Sequence, residues 1–132
     1  MKPIEIHIRE IAPQDAAVWE KLRRALWPEG AEDHAAEIQS FFAGTLEEPV
    51  SVLMAESAGT IVAFAEISIR SNVAGLDGKR AGYVEGLYVI PEVRHRAIAK
   101  KLLEASRSWE RRQKCTAFVS DRAGCIVIDS NF

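Results

Sequence analysis

The sequence predicts an α/β fold in which a mixed central sheet is flanked by helices, and three observations carry that reading. "AGYVEGLYVI", Ala81 to Ile90, is an apolar strand that leads into a long amphipathic segment and then into a second strand, "CTAFVS". Parallel neighbours joined by a right-handed crossover helix satisfy that order. Upstream, "VSVLMAES" and "GTIVAFAEISIR" are separated only by Ser57, Ala58 and Gly59, a hairpin signal that brings antiparallel pairing into the same sheet. Before the hairpin, apolar residues recur at helical rather than alternating spacing, which sets two helices ahead of it.

The elements follow in order. "IEIHIRE" alternates Ile4, Ile6 and Ile8 against Glu5, His7 and Arg9, a period-two strand with His7 on its polar, solvent-facing side. "APQDAAVWEKLRRALWPEG" places Val18, Trp19, Leu22, Ala25 and Leu26 on one helical stripe, stopped by Pro28 and Gly30. A second helix runs from Glu32 to about Gly44, with Ala35, Ile38, Phe41 and Phe42 on one face. The hairpin comes next, then the polar loop "SNVAGLDGKR" and the strand "AGYVEGLYVI". The long helix spans from about Arg94 to Gln113 and buries Ile98, Leu102, Ala105 and Trp109. "CTAFVS" is a strand, and "DRAGCIVIDSNF" is a turn and a short strand. With no repeat, linker or low-complexity segment, residues 1–132 read as one domain.

Composition narrows the function classes. Apolar residues at 48% and charged residues at 27% are ordinary for a soluble globule. No apolar run is long enough to span a bilayer, and the charged N-terminus lacks the apolar core of a signal peptide. Cys115 and Cys125 lack a CxxC spacing and a third ligand, so they read as reduced, mostly buried thiols of a cytoplasmic protein, with a disulfide as the alternative and no metal site. The net charge of −2 is unevenly spread: no Lys or Arg occurs from Ala25 to Ile69, where Glu29, Glu32, Asp33, Glu37, Glu47, Glu48, Glu56 and Glu66 fall. From Arg94 to Lys114 the balance is basic. An acidic half suits a cationic partner and a basic helix an anionic one, although both also serve as solvated faces. The basic stretch is one helix without interleaved aromatics, which argues against nucleic acid.

The basic turn "PEVRHRAIAKKLL" sits where a helix begins, so unpaired N–H donors, the helix dipole and arginine side chains can converge on one anion. The run Arg94-His95-Arg96-Ala97-Ile98-Ala99 resembles the acetyl-coenzyme A pyrophosphate loop of the GCN5-related N-acetyltransferase superfamily, Arg/Gln-x-x-Gly-x-Gly/Ala. Together with "LRRALWP", "AFAEISIR", "YVEGLYVIPEVRHRAIAKKLL" and "FVSD", in that order and spacing from Ile4 to Asp121, the chain resembles bacterial aminoglycoside 6'-N-acetyltransferases.

The resemblance implies the fold of that superfamily, acetyl-coenzyme A as cosubstrate without a metal, and an aminoglycoside as acceptor. It implies cofactor binding by Leu87, Tyr88 and Val89 of the strand and by Arg94, His95, Arg96, Ala97, Ile98, Ala99 and Lys100 of the turn. By the same resemblance Trp27 is the aromatic wall of the aminoglycoside site, Glu85 the carboxylate that holds ammonium groups and takes the amine proton, and Asp121 a second catalytic and drug-binding carboxylate, with a turn cap as its bland reading. Glu66 is a weaker substrate-binding candidate. Independently of the family, a lone Glu inside "YVEGLYV" is costly unless a cation matches it or chemistry uses it, and Gly86 beside it allows a bulge.

Two departures from the family pattern stand out. Ala97 replaces the first glycine of the loop, at a cost between a few tenths and several kcal/mol depending on its φ. The chain is also C-terminally short against that pattern: "RAGCIVIDSNF" stands where a helix and further strands are usual, and no Tyr follows Tyr88 to protonate a leaving thiolate. The alternating tail, Cys125, Val127 and Asp129 against Ile126 and Ile128, would leave an apolar edge, so pairing across a homodimer is expected. The function expected is acetyl transfer to an aminoglycoside. The alternatives are a catalytically weak aminoglycoside-sequestering protein and an N-acetyltransferase for another amine.

Overall fold

The computed structural model describes residues 5–94, 97–122, 125–129 and 132, with the backbone alone at 30–32, 121–122 and 125–127. In chain order the elements are β1 (His7–Glu10), α1 (Ala16–Leu26), α2 (Ala31–Ala43), β2 (Ser51–Ser57), β3 (Thr60–Arg70), β4 (Ala81–Val89), α3 (Ile98–Arg112), β5 (Ala117–Arg122) and β6 (Cys125–Asp129). The strands form one six-stranded sheet in sequential order, antiparallel throughout except for the parallel pair β4–β5. Ala58 and Gly59 join β2 to β3 with φ of 50° and 82°, the two positive values that a tight primed hairpin turn demands.

Helices cover both faces of this sheet, which explains why β2 and β3 read as nearly continuous apolar runs. Val52, Met54 and Phe64 pack against Trp19 and Leu22 of α1 and Ile38 of α2, where Phe41 and Phe42 set their rings edge-on to Trp19. Leu53, Ala55, Ala63, Ala65 and Ile67 face the other way, onto Ile98, Leu102 and Trp109 of α3. The Trp109 Nε1–H donates to Glu10 Oε1 at 3.1 Å, tying the end of α3 to β1. His7 is exposed, as its place in the alternation predicts.

One expectation changes. The long helix begins at Ile98 rather than Arg94: Pro91–Val93 forms a short 3-10 turn, and Ala97 adopts a left-handed φ of 59°, which no helix can contain. The tail closes a hairpin with β5 of its own chain, Phe118 opposite Asp129 through Arg122 opposite Cys125. Phe132 stacks on Phe118 with ring centres 5.3 Å apart, and Arg107 pairs with Asp129 at 2.6 Å.

One feature of the sheet positions the site. β4 pairs with β3 along its whole length, from Ala81 to Val89, but β5 follows β4 only from Ala81 to Val84. Beyond Val84 the parallel strands part, and Glu85 to Val89 have a strand neighbour on the β3 side alone among the described residues.

Candidate active site

A bulge in β4 builds the first half of the site. Gly86 lies opposite Glu66 and Val84 opposite Ile67, so Glu85 is the extra residue of the strand. Gly86 is buried under the Trp27 indole, and a Cβ there would come within 2.5 Å of that ring. Trp27 itself ends α1, its N–H donating to Arg23 O at 2.7 Å. The result is a cleft of about 330 Å³ between Trp27 of α1, Asp33, His34 and Glu37 of α2, the Glu48–Pro49 loop, and Glu66 and Glu85 of the sheet.

Cations balance these carboxylates at two points. Arg23, 6% exposed, sets Nε 2.9 Å from Glu66 Oε2 and Nη2 2.6 Å from Glu37 Oε2, with its guanidinium 5.2 Å from the Trp27 ring centre. Glu66 also accepts the Trp19 Nε1–H at 3.0 Å, yet burial pushes its carboxyl up to about 7 against the pull of both partners. Arg70 grips Glu85 at two points, Nε to Oε1 and Nη2 to Oε2, each at 2.9 Å, and reaches Glu48 Oε2 at 2.8 Å. Burial raises the Glu85 carboxyl above its usual range, while Arg70 draws it back down. The sequence required that a cation match Glu85 or that chemistry use it, and the last residue of β3 supplies a cation. His34 Nε2 lies 2.9 Å from the Trp27 carbonyl; because a carbonyl only accepts, the ring proton is on Nε2.

The second half is the gap between β4 and β5. The Ile90 N–H donates to Val62 O on the β3 side at 2.9 Å. Strand alternation then turns the N–H groups of Val89 and Leu87 to the opposite side, into the gap. Arg94 Nε donates to Val89 O at 2.9 Å and its guanidinium lies over the Tyr88 ring, so this side chain is turned back onto β4. Past it, the left-handed Ala97 redirects the chain so that α3 opens with the N–H groups of Ile98, Ala99 and Lys100, while Lys101 N–H is the first to bond back, to Ala97 O at 3.1 Å. Such an end suits an anion.

Trp27, Glu66 and Glu85 thus meet in one cleft, and Leu87, Val89 and the start of α3 line the neighbouring gap. Asp121 lies in β5 opposite Ile126, with its side chain outside the described set, and His95 and Arg96 lie outside the described residues. Arg23, Asp33, His34, Glu37, Glu48 and Arg70 were not singled out as site residues from the sequence. A signal existed for Asp33 and Glu37, which stand four apart on a helix and therefore share a face. Among the described residues there is no group of side chains suited to a metal ion, and no helix is long and apolar enough to cross a membrane.

Residues 17–124 match the model of the acetyltransferase (GNAT) family. Aminoglycoside N(6')-acetyltransferase type 1 of Klebsiella aerogenes is 34% identical over 116 residues, 86% of this chain and 76% of that protein. Among solved structures, aminoglycoside N-acetyltransferase AAC(6')-Iy in complex with CoA superposes with a TM-score of 0.80 at 27% identity, covering 92% of this chain and 80% of the other. AAC(6')-Iy in complex with a bisubstrate analog, CoA-S-monomethyl-acetylneamine, gives 0.79 at 28% identity over 90% of this chain and 80% of the other. The chain belongs to the GNAT family of acetyltransferases, among the aminoglycoside N(6')-acetyltransferases.

Proposed function

We propose that this N-acetyltransferase moves the acetyl group of acetyl-coenzyme A onto the 6'-amine of an aminoglycoside. The observation that carries the reading is the adjacency, along β4, of an acidic cleft walled by Trp27 and a strand gap edged by the N–H groups of Leu87 and Val89. The gap fits an extended, amide-bearing arm adding to the free side of β4, and the start of α3 fits the phosphates at the end of that arm.

In this reading Leu87, Tyr88 and Val89 hold the arm. The Val89 N–H donates to the thioester oxygen as negative charge develops on it. The turn from Arg94 through His95, Arg96, Ala97, Ile98 and Ala99 to Lys100 holds the pyrophosphate. Trp27 offers a flat apolar wall to the sugar, and Glu66, Glu85 and Asp121 supply negative charge for its ammonium groups. Glu85 takes the proton of the attacking amine, directly or through water. The amine forms the new C–N bond as the C–S bond breaks, and coenzyme A departs as its thiol without a covalent enzyme intermediate. The reading includes a cytoplasmic location, where thiols such as Cys115 stay reduced. It also includes a homodimer formed through β6, whose Ile128 is 46% exposed; a monomeric mass by light scattering at micromolar concentration would sink that part.

A second reading, sequestration of the drug with feeble transfer, is favoured by one observation, the strained Ala97 in the phosphate turn. Thiol release from acetyl-coenzyme A in the presence of kanamycin separates the two. Transfer predicts many equivalents of thiol per protomer, whereas sequestration predicts bound kanamycin with less than one.

A further inference from the structure

Two guanidiniums pair with carboxylates of the cleft, Arg23 within its lining and Arg70 through Glu85 and Glu48, and they differ in kind. Arg23 is buried between Glu66 and Glu37 and touches the rings of Trp19 and Trp27, as a structural counterion does. The Arg70 side chain is 29% exposed, lies over the Tyr83 ring at 4.5 Å, and bridges Glu85 to the more exposed Glu48. At this end of the cleft a resident cation already sits on the carboxylate expected to meet the reacting amine. Asp33, at the α2 side, is exposed and has no ion-pair partner among the described residues. His34 lies beside it, with its ring held by the Trp27 carbonyl.

That asymmetry has a chemical consequence, which rests on the reading of amine acetylation given above. Only a neutral amine can attack a thioester, and a polyamine sugar arrives with its amines protonated. A fixed positive charge next to the attack position disfavours an ammonium there and lowers its pKa. The same charge leaves the Asp33 side as the more favourable place for the ammonium groups that do not react. We propose that Arg70 is a positioning and specificity-determining residue of the transfer: by gripping Glu85 and bridging to Glu48, it favours the neutral form of the reacting amine at Glu85 and directs the permanent ammonium groups of the substrate toward Asp33. Arg70 does not itself touch the reacting atoms; it acts through Glu85 and through its charge.

The test compares the unaltered protein with Arg70→Gln and Arg70→Lys. It uses calorimetric binding of kanamycin at pH 8 and low salt, and kcat and KM from pH 5.5 to 9. Arg70→Gln removes one positive charge, so kanamycin binds about tenfold tighter while the acid limb of the kcat profile moves up by about one pH unit, because the amine and Glu85 both hold their protons longer. Arg70→Lys keeps the charge and restores both readouts. A merely structural arginine would give weaker binding and lower kcat together, with the limb in place. Glu48→Gln, which leaves Arg70 less neutralised, weakens kanamycin binding and provides the opposite sign should Arg70→Gln fold poorly. The inference is overturned if Arg70→Gln binds no tighter, or if it turns over with an unmoved limb. If the unaltered protein releases no thiol but Arg70→Gln still gains affinity, acetylation fails as the function and the charge role of Arg70 stands. If kanamycin is acetylated with neither readout shifted in Arg70→Gln, only Arg70 falls, and if no variant binds kanamycin both fall.

Discussion

Ala97 holds φ 59° and ψ 24°, a conformation that an L side chain enters at a cost of about 1–2 kcal/mol. The chain accepts that cost because the bend frees the first N–H groups of α3 from the preceding turn. A glycine would supply the same bend without the methyl, at a smaller loss through the greater freedom of its unfolded state. Ala97→Gly is therefore expected to stabilise the folded protein by about 0.5–1 kcal/mol, read as a higher urea midpoint, and to tighten acetyl-coenzyme A binding several-fold in calorimetry. An unchanged midpoint would mean that the turn relaxes around the methyl; unchanged cofactor affinity would remove Ala97 as the weak point of the phosphate turn. Gly86 makes the complementary case, since there the requirement is space: the Trp27 ring occupies the place where a side chain would go.

At the scale of elements, β4 organises the molecule. Its first half pairs on both sides, its middle bulges at Glu85, and its second half has lost β5, so one strand borders both the cleft and the gap. Most of this was legible in the sequence where a pattern repeats over several residues. The hairpin of β2 and β3, the stripe of α3 and the strand–helix–strand order each draw on several side chains, and the structure agrees with them. What was illegible hangs on single residues. The start of α3 moved by four positions because one residue took a left-handed φ. Gly86 signalled the bulge beside Glu85, but no periodicity announces that Arg70 pairs with that carboxylate. Arg23 was hidden for a different reason, since a charged residue on the apolar side of a helix is expected to point away until its buried partner, Glu66, is known. Of the clustered acidic residues from Ala25 to Ile69, Asp33, Glu37, Glu48 and Glu66 gather at the cleft, but sequence position alone could not show that arginines of α1 and β3 pair with them.

For the molecule as a whole, the sheet carries a buried carboxyl on each face, and this sets how stability depends on pH. Glu66 lies toward α1, and Glu110 of α3 lies against β4 so closely that a Cβ on Gly82 would come within 2.4 Å of its Cγ. Glu110 is fully buried and accepts the Cys115 thiol at 3.4 Å through Oε2, with the Tyr83 backbone as a further hydrogen-bond partner. Burial pushes Glu110 from 4.5 up to about 7, and burial together with the nearby carboxylate pushes the Cys115 thiol up to about 12. A group whose folded pKa is raised contributes its full stability below its unfolded pKa and loses it as pH rises through the folded value. Between pH 4.5 and 7 the folded state keeps the Glu110 proton that the unfolded chain gives up, so folding stability falls across that window by on the order of 3 kcal/mol. Glu110→Gln keeps the shape and carries no proton to lose. Urea midpoints measured at pH 5 and pH 8 should therefore fall with rising pH in the unaltered protein and fall distinctly less in Glu110→Gln, with Glu66 supplying the remainder over the same window. Equal slopes in the two proteins would show that Glu110 is ionised in the fold at both pH values.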